Sequence, residues 1–122
     1  MVAFNKTKGT VVAANVAAAD TPASRSKGLL GRESMAPGEG LWIVQFAAAR
    51  FVPCPTIHTF FMKFSIDVLF LDADLAVRKV IEDMRPGRLS PWVPSASSIL
   101  ELPAGTLKGS VSVGDRLEMR PA

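Results

Sequence analysis

Cys54 and His58 are the chain's only cysteine and only histidine, and they stand four residues apart. A thiol beside an imidazole can become a thiolate nucleophile, because a nearby imidazolium lowers the thiol pKa. In extended chain, four residues separate two Cα atoms by about 13 Å. That is too far for contact unless the chain bends, and Pro55 makes a bend possible. No Asn or Asp is clearly placed to orient the ring. The ordinary reading of a lone Cys in an apolar loop is an inert, partly buried small residue. A complete catalytic set is therefore missing, with Cys54 and His58 as its only weak candidates.

Metal chemistry is less well provided for. A structural zinc takes four ligands, usually several Cys or His. One of each leaves only carboxylates to complete the shell. Asp67, Asp72 and Asp74 lie nearby, but Asp72-Ala73-Asp74 between two apolar runs reads as a hairpin turn. The expectation is no metal and no cofactor.

Several polar residues remain as binding candidates. Asp67 is flanked by Ile66 and Val68 and precedes the apolar run 68–71, so its burial is costly without a partner. Arg32 is a reasonable partner, since a guanidinium suits a bidentate carboxylate contact. The pair can line a cleft or simply fix a helix on a sheet, and the second reading is favoured. Glu101, between Leu100 and Leu102, either joins that cluster or points to solvent. Trp42 lies in a predicted strand and reads as core. Trp92, in a loop rich in Pro and Ser, is the better exposed contact. Phe60, Phe61, Phe64 and Phe70 read as core.

These groups need a scaffold, and the punctuation of the chain suggests which. Nine Gly and nine Pro cut 122 residues into short apolar runs, as in a β-sandwich or barrel. Strands are predicted over 10–16, 41–46, 57–63, 68–71, 76–84, 98–102 and 116–119. Parity in 57–63 puts His58, Phe60 and Met62 on one face and Thr59, Phe61 and Lys63 on the other. Thr21-Pro22 starts one short helix that ends at Gly31, with Thr as N-cap and Pro in the first turn. Turns fall at 37–40, 72–74, 103–105 and 113–115, and 86–98 is a loop.

The totals set outer bounds. The length fits one domain over residues 1–122, large enough to fold without a disulfide or metal. Net charge is +3, but the fourteen basic residues are scattered singly and tyrosine is absent, which argues against nucleic acid. No segment approaches the roughly 18 uninterrupted apolar residues of a membrane span. Residues 1–6 lack the apolar core of a signal peptide, and the run 11–19 is broken by Asn15. One cysteine cannot form an internal disulfide. The expected location is cytoplasmic.

The motifs, taken in order, resemble the domain-of-unknown-function 192 family, also called uncharacterised protein family 0127. The matching pieces are residues 21–32, Gly40-Leu41-Trp42, the ribbon Ile57-His58-Thr59-Phe60-Phe61-Met62-Lys63-Phe64-Ser65-Ile66-Asp67 through Asp72, Leu100-Glu101-Leu102-Pro103-Ala104-Gly105, and Val113-Gly114-Asp115. The resemblance covers about residues 10–119. It implies a compact, mostly β domain with a short helix, of the short cytosolic type, and it supplies no reaction.

The sequence thus leads to a mainly β, single-domain antiparallel β-sandwich or partly open barrel with one short helix. The expected function is a non-catalytic binding module for a small polar ligand, a glycan or a peptide. Its cleft draws on Arg32, His58, Lys63, Asp67, Trp92 and Glu101. One alternative is a hydrolase or isomerase using Cys54 and His58. Another is a structural or protein-interaction subunit whose partner docks on an edge strand or on the loop 86–98. A thiol-reactive probe separates the enzyme from the binding module. The expected outcome is slow labelling of Cys54 with a pKa near the free-thiol value of about 8.5, and fast labelling at neutral pH would revive the nucleophile.

Overall fold

The computed structural model describes residues 1–21, 24, 28–44 and 57–122. Their short apolar runs form β1 (Val2–Asn5), β2 (Thr10–Ala13), β3 (Asn15–Ala19), β4 (Glu39–Val44), β5 (Ile66–Leu71), β6 (Val77–Met84), β7 (Ser98–Pro103) and β8 (Leu117–Arg120). A three-stranded sheet has the order β2-β1-β8 and a five-stranded sheet the order β3-β4-β7-β5-β6. The fold is mainly β, with two open sheets and no closed barrel.

Every pairing is antiparallel except β3 with β4, which run parallel. A parallel pair needs a crossover of a dozen or more residues, and residues 20–38 supply it. The crossover carries the helix start foreseen in the sequence. Ser24 N–H donates to Thr21 Oγ1 at 3.1 Å and Thr21 N–H donates to Ser24 Oγ at 3.0 Å, a reciprocal cap. Ser24 is helical and its carbonyl accepts from Gly28 N–H at 3.0 Å. Residues 22, 23 and 25–27 of the expected helix lie outside the described residues, and the chain turns from Gly28 to Gly31.

β5 lies between β7 and β6, and all six of its residues are buried. Asp67, Leu69 and Leu71 point to the inner face of the five-stranded sheet, toward the small sheet. There Leu69, Leu71, Leu100 and Leu102 pack with Ala3, Val12 and Leu117. Ile66, Val68 and Phe70 point to the outer face, which irregular segments cover with Leu29, Met35, Ile57 and Val93. Each such buried aliphatic side chain contributes about 1.5–3 kcal/mol. Gly40 lets β4 approach the inner core. A Cβ there meets Leu102 Cδ2 at 3.2 Å and Val16 Cγ2 at 3.3 Å.

Three expectations are corrected. The predicted strand 10–16 is two strands, β2 and β3, divided at Ala14 so that each joins a different sheet. The ribbon 57–63 is not a strand. It makes one isolated bridge, His58 with Leu89, and then turns at Phe60 and Phe61. Phe60 and Phe61 are accordingly not core: the turn carries them outward, 42% and 90% exposed. β1, which the sequence reading did not anticipate, forms because it finds partners on both sides in β2 and β8.

Asp67 ties the sheet to its end loops. Fully buried, it accepts Asp83 N–H at 2.8 Å and Leu107 N–H at 3.0 Å. Asp83 sits at φ 53, beside a bulge in the β5–β6 register, which aims its N–H inward. An unsatisfied buried donor costs about 1–3 kcal/mol. Asp67→Ala is therefore expected to lower stability in urea unfolding by about 3 kcal/mol. Asp67→Asn, which keeps one acceptor, should lose less. A loss in Asp67→Ala below about 1 kcal/mol would show that these bonds are not the anchor.

Candidate functional site: an aromatic rim beside a buried carboxyl

Thr59 organises the rim. It is fully buried, and each of its polar groups reaches the turn that follows β6. Its N–H donates to Arg88 O at 2.8 Å and its carbonyl accepts from Gly87 N–H at 2.9 Å. Its hydroxyl donates to Arg85 O at 2.6 Å and accepts from Arg88 N–H at 2.9 Å. Gly87 has φ 79, a conformation that favours glycine and closes this turn. A second tie runs from Ile57 N–H to Ser90 Oγ at 2.8 Å, and Ser90 N–H returns to Ile57 O at 2.8 Å.

With Ile57 and Thr59 turned inward, their neighbours face out. The His58 and Phe60 rings stack at 5.2 Å between centroids, 20° from parallel. Phe61 holds φ 65, a costly conformation for a bulky side chain. Leu89 and Trp92 are 65% and 59% exposed. Beside them a groove of about 400 Å³ is lined by Ile81, Met84, Arg85, Arg88, Leu89 and Pro91, among others. Arg85 makes a loose 3.9 Å contact with Asp83, and Arg88 pairs with no carboxylate among the described residues. The surface is therefore aromatic with positive charge at its margin.

The binding candidates separate into three places. His58 and Trp92 belong to the rim. Arg32, Lys63 and Glu101 belong to the covered outer face or its border. Arg32 does not meet Asp67. It forms a forked pair with Glu39, with Nη2 at 2.9 Å from Oε1 and Nη1 on Oε2. The Arg32 guanidinium, helped by Ala36 N–H, holds the Glu39 carboxyl below its ordinary range. Lys63 Nζ lies 2.6 Å from Glu33 Oε1. Asp67 faces the opposite side of the sheet, so the expected Arg32–Asp67 cleft does not form. Cys54 lies outside the described residues. Trp42 packs against the inner core, as expected of a strand tryptophan.

Glu101 is the unusual group. It sits mid-strand in β7 between Leu41 of β4 and Val68 of β5, on the outer face. Only 6% of it is exposed, and its carboxyl accepts no hydrogen bond among the described residues. Burial pushes its pKa up to about 7. Groove-lining Ile81 is the register partner of Val68, which places Glu101 two strands from the groove, about 10 Å, on one face. Among the described residues no cluster of three or more His, Cys, Asp or Glu is arranged to hold a metal ion.

Leu89, Arg88, Thr59 and Glu39 were not singled out in the sequence. An exposed leucine in a loop of Pro and Ser was a usable signal for Leu89. Thr59 offered none, because its role depends on a turn almost thirty residues away.

The Glu101 carboxyl has a thermodynamic consequence. Its pKa is higher folded than the ordinary 4.5, so the folded state holds the extra proton between those values. Its contribution is complete below about pH 4.5 and is lost as pH rises through about 7. Across that window the wild type should lose roughly 3 kcal/mol relative to Glu101→Gln, which does not titrate. Chemical unfolding at acid and alkaline pH checks this. A constant difference between the two proteins across the window would refute the buried, unpaired carboxyl.

Comparison with known proteins agrees with this architecture. A UPF0127 protein of Pyrococcus abyssi is 36% identical over 118 residues, 96% of each chain. A UPF0127 protein of Thermococcus sibiricus is 36% identical over 126 residues, covering 94% of this chain and 72% of the relative. A crystal structure of a protein of unknown function from Novosphingobium aromaticivorans superimposes with a TM-score of 0.80 at 22% identity, over 97% of this chain and 83% of that one, and shares the fold. The model of the DUF192 family, described as "Uncharacterized ACR", matches residues 3–119. The chain belongs to the DUF192 family.

Proposed function

We propose that this protein is a non-catalytic binding module whose ligand is a small acidic saccharide. The observation that carries the reading is the rim itself. Aromatic side chains stand exposed on a segment that four hydrogen bonds from one buried threonine hold in place. A backbone already held in place lowers the ordering cost of binding. Flat aromatic faces accept the apolar face of a sugar ring, while the guanidinium of Arg88 provides a charge-assisted donor for a carboxylate. Binding sites commonly combine an apolar wall with a few directed polar groups. The strained Phe61 supports the same reading, because strain of this kind concentrates where ligands are held. A cytoplasmic location is proposed with it, in keeping with a lone cysteine that makes no internal disulfide.

The test is an amide NMR titration with a uronic acid disaccharide and, as control, the neutral disaccharide of the same linkage. The acidic sugar is expected to shift amides of residues 58–62 and 85–92 saturably, and the neutral one to bind about tenfold more weakly. Arg88→Ala should remove that difference, and Phe61→Ala should weaken both. Absence of saturable shifts with either sugar would end the proposal. An acidic peptide that moves the same amides when the sugars do not would replace the saccharide with a peptide ligand.

A further inference from the structure

We infer that Glu101 anchors a second binding site, separate from the rim, which takes a small organic cation with an ammonium group on an apolar body into the covered outer face of the five-stranded sheet. The inference is independent of the saccharide reading.

The other buried carboxylates show how this fold treats an acid. Asp67 receives two backbone N–H donors. Asp115 receives the Asn5 amide and Ser112 N–H, each at 2.9 Å, and lies 3.0 Å from Lys8 Nζ. Burial alone raises the Asp115 carboxyl, yet these partners together hold it below its ordinary range. Glu101, 6% exposed against 0% for Asp67 and 5% for Asp115, receives none of this among the described residues. Among the described residues Trp42 Nε1 and Ser98 Oγ are also buried without a partner, but both side chains lie on the inner side of the sheet, and Glu101 alone of these is ionisable.

The neighbours of Glu101 define what fits. Leu41, Val68 and Ile99 surround it on its own face and offer no donors. Among the described residues of the segments over this face, Arg32 pairs with Glu39 and Lys63 with Glu33. Lys79 is the register partner of Phe70 at the edge of the face, while His58, Arg85 and Arg88 stand at the rim. Among the described residues the face therefore carries one carboxyl without a counterion, set in hydrocarbon. Its complement is a cation that brings its own hydrocarbon.

Charge balance fixes the linkage. In the free protein burial keeps the carboxyl protonated up to about pH 7. An ammonium that enters forms an ion pair with the carboxylate, and the displaced proton leaves to solvent. Affinity must then rise about tenfold per pH unit while Glu101 starts protonated, and level off above about pH 7.

The probe is n-butylammonium chloride, with n-butanol as the uncharged control. The readout is the side-chain carboxyl carbon of Glu101 in glutamate-labelled protein. Butylammonium is expected to move this signal saturably to its ionised position at about pH 6, with affinity rising toward about pH 7. Butanol should leave it protonated. Glu101→Gln should lose the heat of butylammonium binding. Three results would overturn the inference: no saturable shift, an equal response to butanol, or unchanged heat in Glu101→Gln. The wild-type titration decides the matter even if that variant folds poorly, and none of its signals depends on the sugar-responsive amides.

Discussion

A strand buried on both faces must find two covers, and β5 imposes that demand on everything around it. All six of its side chains leave water. On the inner side a second sheet answers the demand, with Ala3, Val12 and Leu117 placed by ordinary strand alternation. On the outer side no second sheet is found among the described residues, and irregular chain does the work with Leu29, Met35, Ile57 and Val93. Irregular chain brings backbone polar groups that also need partners. Thr59 meets much of that need by bonding the turn after β6 through its main chain and its hydroxyl. The cover is held by hydrogen bonds, and its excess aromatic side chains are turned out into solvent.

Three buried acids then play different parts in one small domain. Asp67 binds a bulge and a loop to the sheet, and Asp115 fastens a turn beside β1 through Asn5. Both are enclosed by donors. Among the described residues Glu101 has the hydrocarbon of Leu41, Val68 and Ile99 beside it on its face. The contrast arises from position. Asp67 is near the end of its strand, where backbone N–H groups of neighbouring loops are free to turn toward it. Glu101 is in mid-ladder, where the N–H groups of β4 and β5 belong to the sheet.

Much of the fold was legible because it follows from local chemistry. The apolar run 68–71, the Asp72 turn and the strand predicted over 116–119 each carry their own signal. In the turn, Asp72 Oδ1 accepts both Asp74 and Ala76 N–H at 2.9 Å, as an Asx residue at that position favours. What was not legible depends on distant partners. Asp67 looked as though it needed a cation, and a carboxylate between apolar neighbours gives no hint that backbone N–H groups will serve instead. Arg32 found Glu39, seven residues on, because the crossover folds back on itself. Phe60 and Phe61 looked like core because composition alone cannot reveal a left-handed turn at a phenylalanine. Glu101 was read as joining an Arg32–Asp67 cluster or pointing to solvent; it does neither, and only the register shows that it is buried between Leu41 and Val68.

The pairing of β1 with β8 joins Val2 to Arg120 across almost the whole chain. Contacts so distant in sequence must meet a large loop-closure cost before they stabilise anything. The cover that Leu117 lends to Leu69, Leu71, Leu100 and Leu102 is therefore expected to form late and to slow the folding of the whole domain.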